Sequence, residues 1–163
     1  MGTAAIPRIP VGIDLAIFPP TPRASFEVQS PVLIAMARPE TPRRGYALLI
    51  DALGLIHRRH PLIRIRLFGS DRLFETELPF PCDRLGKVGP DQLRALYREA
   101  DFLVETSEFQ GFGLVPLEAM ALGCACVLTA SGGIEEYARD RVNALVVAHD
   151  TQAIADAVSD LIE

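Results

Sequence analysis

The chain has 163 residues, 49% of them hydrophobic, which suits one domain with a core large enough to need no staples. Its formal net charge of −5 excludes an overall field that would draw in nucleic acid or an acidic membrane, so any anion site has to be assembled locally. Three cysteines, Cys82, Cys124 and Cys126, show neither zinc nor CxxC spacing, and two of them sit in an apolar run as buried thiols would, which fits a reducing cytoplasm. No window approaches the roughly 18 uninterrupted apolar residues of a membrane span, and prolines stand where a signal peptide would have its apolar core, so a soluble, unexported chain is expected.

Residues 1–30 contain Pro7, Pro10, Pro19, Pro20 and Pro22, which discourage helix and strand interiors and predict a linker or surface-hugging arm. The ordered domain is expected over residues 31–163. There, apolar β-leaning runs alternate with amphipathic helices: a strand over 32–37, a helix over 44–59, a strand over 63–68 ended by Gly69, and a short segment over 84–88. A helix over 90–100 follows, then a strand over 101–105 and a helix opened by Pro116, whose fixed φ suits a first helical residue. The series closes with a strand over 125–129, a short helix over 134–138 after Gly132 and Gly133, a strand over 144–147 and a helix over 152–162 capped by Thr151. Repeated β-then-α units predict an α/β fold, a Rossmann-like parallel sheet with helices on both faces.

In that architecture ligands bind beyond the carboxyl ends of the strands. The loops there carry Arg38 after the first strand, Gly69 after the second, Gly86 after the third, residues 110–114 after the fourth and residues 132–136 after the fifth. In ARPETPRRG, residues 37–45, Arg38, Arg43 and Arg44 fall within seven positions. Guanidinium groups offer planar forks of donors that match phosphate oxygens, and two of them can neutralise a diphosphate without a metal. A solvated arginine patch is the competing reading for any one of them. His57, Arg58, Arg59 and His60 crowd a helix C-terminus, where positive charge is favourable for structural reasons alone.

SEFQGFGLVPLEAMALGCACV, residues 107–127, runs from a glycine-rich loop into a helix. The first backbone N–H groups of a helix lack intrahelical partners and the macrodipole is positive there, so an anion gains hydrogen bonds and field together, and Gly111 and Gly113 let it come close. Glu118, placed in the helix's first turn, can accept from the two hydroxyls of a ribose. Gln110, on the rim of the loop, can hydrogen-bond the hydroxyls of a sugar. Plain alternatives stand beside these: glycines that only make a tight turn, an acid that only complements the dipole, a polar loop residue. Glu135 and Glu136 begin another helix and invite the same dipole explanation.

GFGLVPLEAMALG, then ASGGIEE and NALVVAHD with a closing helix, together with the upstream LGKVGPDQLRALYREADFLVETS, closely resembles the C-terminal half of GT-B fold glycosyltransferases of family 4. IPVGIDLAIFPP, residues 9–20, looks like the segment that leads into that half. The resemblance implies a nucleotide-diphospho-sugar as donor substrate, transfer with retention of configuration by a hexosyltransferase-type enzyme, and no bound metal or cofactor. Carried over residue by residue, it implies that Arg38 and Arg44 hold the diphosphate, the latter in place of a commoner lysine. Backbone amides of Gly111, Phe112, Gly113 and Leu114 would contact phosphate and sugar. Glu118 matches the second acid of the family's E-x7-E pattern and would hold the ribose, and backbone near Gly69, Gly86 and Val88 would meet the nucleotide. Gln110 stands where the family has its first acid, keeping size and an acceptor oxygen but losing the charge. Such enzymes also have an N-terminal domain that binds the acceptor, a glycan or lipid-linked glycan. This half alone is therefore expected to bind donor and transfer little. A non-catalytic nucleotide-sugar-binding module is the alternative that Gln110 supports. A dinucleotide oxidoreductase is disfavoured because the loop after the first strand lacks GxGxxG.

Overall fold

A computed structural model describes residues 11–23 and 30–163. The expectations for residues 1–10, including Pro7 and Pro10, and for residues 24–29 fall outside the described residues. Six strands, β1 (Val32–Met36), β2 (Arg64–Phe68), β3 (Asp83–Arg84), β4 (Phe102–Glu105), β5 (Ala125–Thr129) and β6 (Leu145–Val147), form one sheet in the order β3-β2-β1-β4-β5-β6. Every pairing is parallel. Parallel neighbours need crossovers, and helices α1 (Tyr46–Arg59), α2 (Pro90–Glu99) and α3 (Leu114–Ala121) contribute to them, while α4 (Thr151–Ile162) follows the last strand. The chain is the Rossmann-like α/β sheet that its alternating pattern predicts.

Successive side chains of a strand point to opposite faces, and the core divides accordingly. Leu33, Ala35, Leu67 and Val104 pack in a cluster with Leu49 and Ile56 of α1 and with Ile154 and Val158 of α4. Ile34, Phe68, Leu103 and Leu128 pack instead with Leu96 and Tyr97 of α2 and Ala119 of α3. Cys124 and Cys126 lie buried in this second layer, where burial pushes the Cys124 thiol up to about 12 and Cys126 also well above its usual value. Each fully buried aliphatic side chain contributes about 1.5–3 kcal/mol. Residues 11–23 lie against the same layer: the Phe18 and Tyr97 rings are 6.4 Å apart, Thr21 donates its N–H to the Ala121 carbonyl at 2.9 Å, and Arg23 pairs with Asp101 at 2.5 Å.

Several boundaries differ from the sequence expectation, each for a local reason. The first helix does not begin at Arg44: Pro42–Arg44 make a 3-10 turn, Gly45 turns left-handed at φ 64, and α1 starts at Tyr46. The third strand ends at Arg84, with Gly86 turning left-handed at φ 63 while its carbonyl still accepts the Gly69 N–H at 2.7 Å. Pro116 is the third residue of α3, not the first; its missing N–H costs nothing there, since that group has no intrahelical acceptor. Asp150 rather than Thr151 caps α4, its carboxylate accepting the Ala153 N–H at 2.9 Å. The expected helix over 134–138 is a 3-10 turn, Gly133–Glu136. A further 3-10 turn, Asp71–Glu75, was not anticipated.

The strand order places a reversal at the centre. From β1 the chain builds outward to β2 and β3, then α2 carries it back to β4 on the other side of β1, so the loops leaving β1 and β4 diverge with a crevice between them. The two loops are stitched together at their bases. Thr106 Oγ1 donates to the Gly45 carbonyl at 3.0 Å and the Glu108 N–H to the Arg43 carbonyl at 3.0 Å. A Cβ on Gly45 would lie 1.9 Å from the Thr106 carbonyl oxygen. Beneath the stitch Glu105, 4% exposed, accepts from the Ser107 N–H at 3.1 Å and its hydroxyl at 2.5 Å. Burial pushes the Glu105 carboxyl above its usual value, against the pull of the Ser107 donors and the Arg44 charge.

Gly45→Ala therefore combines a disfavoured left-handed φ with a backbone clash, and should lower the chemical-denaturation midpoint by an equivalent of about 2 kcal/mol or more. Gly111→Ala, with open space around it, should stay within about 0.5 kcal/mol of the parent. A carboxyl whose pKa is raised by folding binds its proton more tightly in the native state, so its contribution is present below the unfolded value of 4.5 and is lost as pH rises through the folded value. Glu105→Gln, which keeps an acceptor for Ser107, should flatten that decline. Denaturation midpoints of parent and variant that run parallel from pH 4 to pH 7 would contradict the assignment.

Candidate functional site

Arg38 leaves the carboxyl end of β1 and, with Gly69, Lys87, Val88, Leu93 and Val115, lines a cavity of about 150 Å³. The loops around it are held in register by hydrogen bonds. Gly69 donates its N–H to the Gly86 carbonyl at 2.7 Å, Ser70 Oγ donates to the Glu40 carboxylate at 2.8 Å, and Asp71 Oδ1 accepts the Lys87 N–H at 3.0 Å. Arg38 Nε is buried without a hydrogen-bond partner, an unspent donor of the kind folded proteins rarely leave. Arg38, Gly69, Gly86 and Val88, chosen from sequence on separate loops, are thus brought together. Lys87, which the sequence reading passed over, joins them from between two of its chosen positions.

The second group gathers on the far side of the crevice. Arg44 reaches from the β1 loop toward Gln110 on the β4 loop, its guanidinium 3.5 Å from Oε1. That is a long contact, the weak end of a charge-assisted bond. Gln110 is 5% exposed and its Nε2 has no partner. The glycine loop continues through Gly111 and Phe112 to Gly113, left-handed at φ 88, whose carbonyl accepts the Tyr137 hydroxyl at 2.7 Å. Phe112 and Tyr137 pack with ring centres 5.4 Å apart. Behind the loop, the Gly133 N–H bonds the Gln110 carbonyl at 3.0 Å, and a Cβ on Gly133 would fall 2.4 Å from both the Gly111 carbonyl oxygen and Phe112 Cα. Backbone meets backbone there.

Helix α3 begins between the two groups. Gly113 precedes it beside Gln110, Leu114 opens it, and Val115 forms part of the cavity wall. Its first-turn N–H groups have no intrahelical acceptors. Glu118 is the fifth residue of α3 and not in its first turn, so complementing the helix dipole does not account for it. Its Oε2 accepts the Tyr97 hydroxyl at 3.1 Å. Val115 with Glu118, and Leu93 with Tyr97, are each one helical turn apart, so the carboxylate and its tyrosine stand one turn behind the cavity wall. Burial pushes the Glu118 carboxyl above its usual value, and the Tyr97 hydroxyl pulls it back. Tyr97, Tyr137 and Glu105 were missed in the sequence; the only signal for Tyr97 was its spacing of four from Leu93.

The charged cluster at the end of α1 ties two helices together. His60 bonds Ser159 at 2.8 Å and Arg59 pairs with Asp156 at 2.8 Å, tying the end of α1 to α4. Glu135 and Glu136 lie exposed on the 3-10 turn after Gly132. Two larger cavities, about 470 Å³ beside His57, Leu62 and Cys82 and about 260 Å³ beside Ala125 and Asn143, lie toward the amino ends of the strands, the edge where open parallel sheets do not bind ligands. Among the described residues no helix is long and apolar enough to cross a membrane.

Comparison with known proteins identifies the family and the fold. Residues 30–163 match the family described as "Glycosyl transferases group 1". D-inositol 3-phosphate glycosyltransferase of Actinosynnema mirum is 31% identical over 93% of this chain and 42% of its own length. The GDP-mannose-dependent alpha-(1-6)-phosphatidylinositol monomannoside mannosyltransferase of Mycolicibacterium smegmatis is 29% identical over 98% of this chain and 48% of its own. The chain thus spans less than half the length of these relatives. Among solved structures, the C-terminal domain of a glycosyl transferase group 1 family protein from Francisella tularensis superposes with a TM-score of 0.72 at 26% identity, covering 93% of this chain and 88% of that one. Sucrose-phosphate synthase from Thermosynechococcus elongatus gives a TM-score of 0.75 at 26% identity, covering 94% and 42%. The chain belongs to the group 1 glycosyltransferase family, and its fold is that of the C-terminal half of GT-B glycosyltransferases.

Proposed function

We propose that the chain is the donor-binding half of a retaining glycosyltransferase that uses a nucleotide-diphospho-sugar to build a polysaccharide or other glycan. The observation that carries this reading is the crevice at the strand-order reversal, where Arg38 lines the cavity of about 150 Å³ together with Val115 of the first turn of α3, while Arg44, outside that lining, reaches from the same loop toward Gln110. Two guanidinium forks and the open N–H groups of a helix start suit a diphosphate leaving group. By stabilising charge as it develops on that group, they lower the barrier to breaking the bond at the anomeric carbon, with no metal or cofactor required. Glu118, oriented by Tyr97, would take the ribose hydroxyls with the oxygen that Tyr97 leaves open, and backbone at Gly69, Gly86 and Val88 would border the base. Gly111, Phe112, Gly113 and Leu114 would meet the phosphate and the sugar. The acceptor, a glycan or a lipid-linked glycan, would be held by an N-terminal half of the kind that the longer relatives have room for, in a cytoplasmic protein that is membrane-peripheral when complete.

Gln110 favours a second reading, a module that senses a nucleotide sugar without transferring it. Glutamine in a place where the family has an acid gives weaker electrostatic support to positive charge developing at the anomeric carbon. Restoring the acid in a protein that carries both halves separates the two readings: transfer that appears only with Gln110→Glu marks a sensor, whereas a native rate that Gln110→Glu lowers or leaves unchanged marks a working enzyme.

For the chain itself, calorimetric titration with nucleoside diphosphates should show saturable binding. Arg44→Ala and Glu118→Ala should each weaken it by about tenfold or more, since a hydrogen bond to a charged group is worth about 1.5–3 kcal/mol. Equal binding by the parent and both variants would remove the proposed site. The chain alone should transfer little sugar to any acceptor.

A further inference from the structure

Phe74 is 59% exposed on the 3-10 turn Asp71–Glu75, while its neighbour Leu73 is fully buried and anchors that turn. A single exposed apolar residue needs no explanation by itself; the surroundings of this one set it apart. The tip of the ring lies against the Gly86 turn, so closely that a Cβ on Gly86 would meet Phe74 Cε2 at 2.8 Å and Cζ at 3.3 Å. The next two residues, Lys87 and Val88, line the cavity that holds Arg38. Asp71 fixes the turn beneath the ring: its Oδ1 accepts the Lys87 N–H at 3.0 Å and its Oδ2 stands 3.7 Å from Lys87 Nζ. An aromatic ring therefore rests on the left-handed Gly86 turn, where a side chain would strike both it and Asp71 Oδ1, and the next residue along, Lys87, lines the cavity.

We infer that Phe74 is the stacking platform for the donor's nucleobase, with Asp71 as the positioning residue that sets the Gly86–Val88 turn beneath it. The inference rests on the nucleotide-diphosphate reading of the site and adds to it the group that grips the base. Heteroaromatic bases have π-faces that stack on aromatic side chains with little regard to base identity. Phe74 would accordingly supply affinity for the base, and selection among bases would fall to backbone and to the Asp71 and Lys87 edges beside it.

The chain contains no tryptophan, so Phe74→Trp places a single reporter at the proposed contact. Titration of that variant with uridine and guanosine diphosphates should change its fluorescence with saturation at the concentrations that calorimetry gives. Phe74→Ala should weaken both diphosphates by about tenfold while leaving inorganic pyrophosphate, which has no base, unaffected. Unchanged nucleotide affinity in Phe74→Ala, or calorimetric binding by Phe74→Trp with silent fluorescence, overturns the inference and leaves the diphosphate site standing. An equal loss for pyrophosphate also overturns it, assigning Phe74 to the fold alone. A parent chain that binds neither nucleotides nor pyrophosphate overturns the site and the inference together.

Discussion

A parallel sheet that grows first to one side of its starting strand and then to the other has to leave a gap where the two directions part. Here the gap lies between the carboxyl ends of β1 and β4, and among the described residues no helix crosses it. The backbone contact between Gly45 and Thr106 sets how wide it opens, because the two loops meet with no room for a side chain at position 45. The Arg44 and Gln110 side of the site is placed by this contact. Arg44 immediately precedes it, Ser107 and Gln110 follow it, and Glu105 lies buried below.

Electrostatics on the rim follow from the same arrangement. An acidic chain has no global attraction for an anion, yet Arg38 and Arg44 stand on one loop beside the start of α3, so positive groups gather locally against the sign of the net charge. Gln110 fits that environment without adding a second buried carboxyl above Glu105, which burial already holds toward its neutral form. The absence of charge at position 110 is thus consistent with the burial of its neighbour, whatever it does to chemistry at the sugar.

The layered fold was legible in the sequence because β1, β4 and β5 are buried on both faces and read as short apolar runs, and because α2 and α4 have clear helical spacing. Position along the chain was less legible than type. Gly45 looks like an ordinary residue inside an amphipathic run, and only its left-handed φ shows that α1 starts after it. A proline was read as the start of α3, although a proline is equally acceptable two residues later, and that error moved Glu118 into a first turn it does not occupy. The Asp71–Glu75 turn carries no periodicity at all. The rim arginines and glycines could be chosen because loops after strands are few and their chemistry is polar. Tyr97 and Glu105 could not, since a tyrosine in a helix and an acid ending a strand look the same whether they support a site or not.

Gly133 has a mechanical implication for the whole rim. Its α-carbon presses on the backbone of Gly111 and Phe112, and the adjoining Ile134 is 1% exposed within the layer formed by α2 and α3. Residues 110–113 are therefore not a free lid. A ligand that displaced them would drag a plug of the hydrophobic interior along, so any adaptation of shape at this rim has to come from side-chain rotation or from sliding both segments as one block.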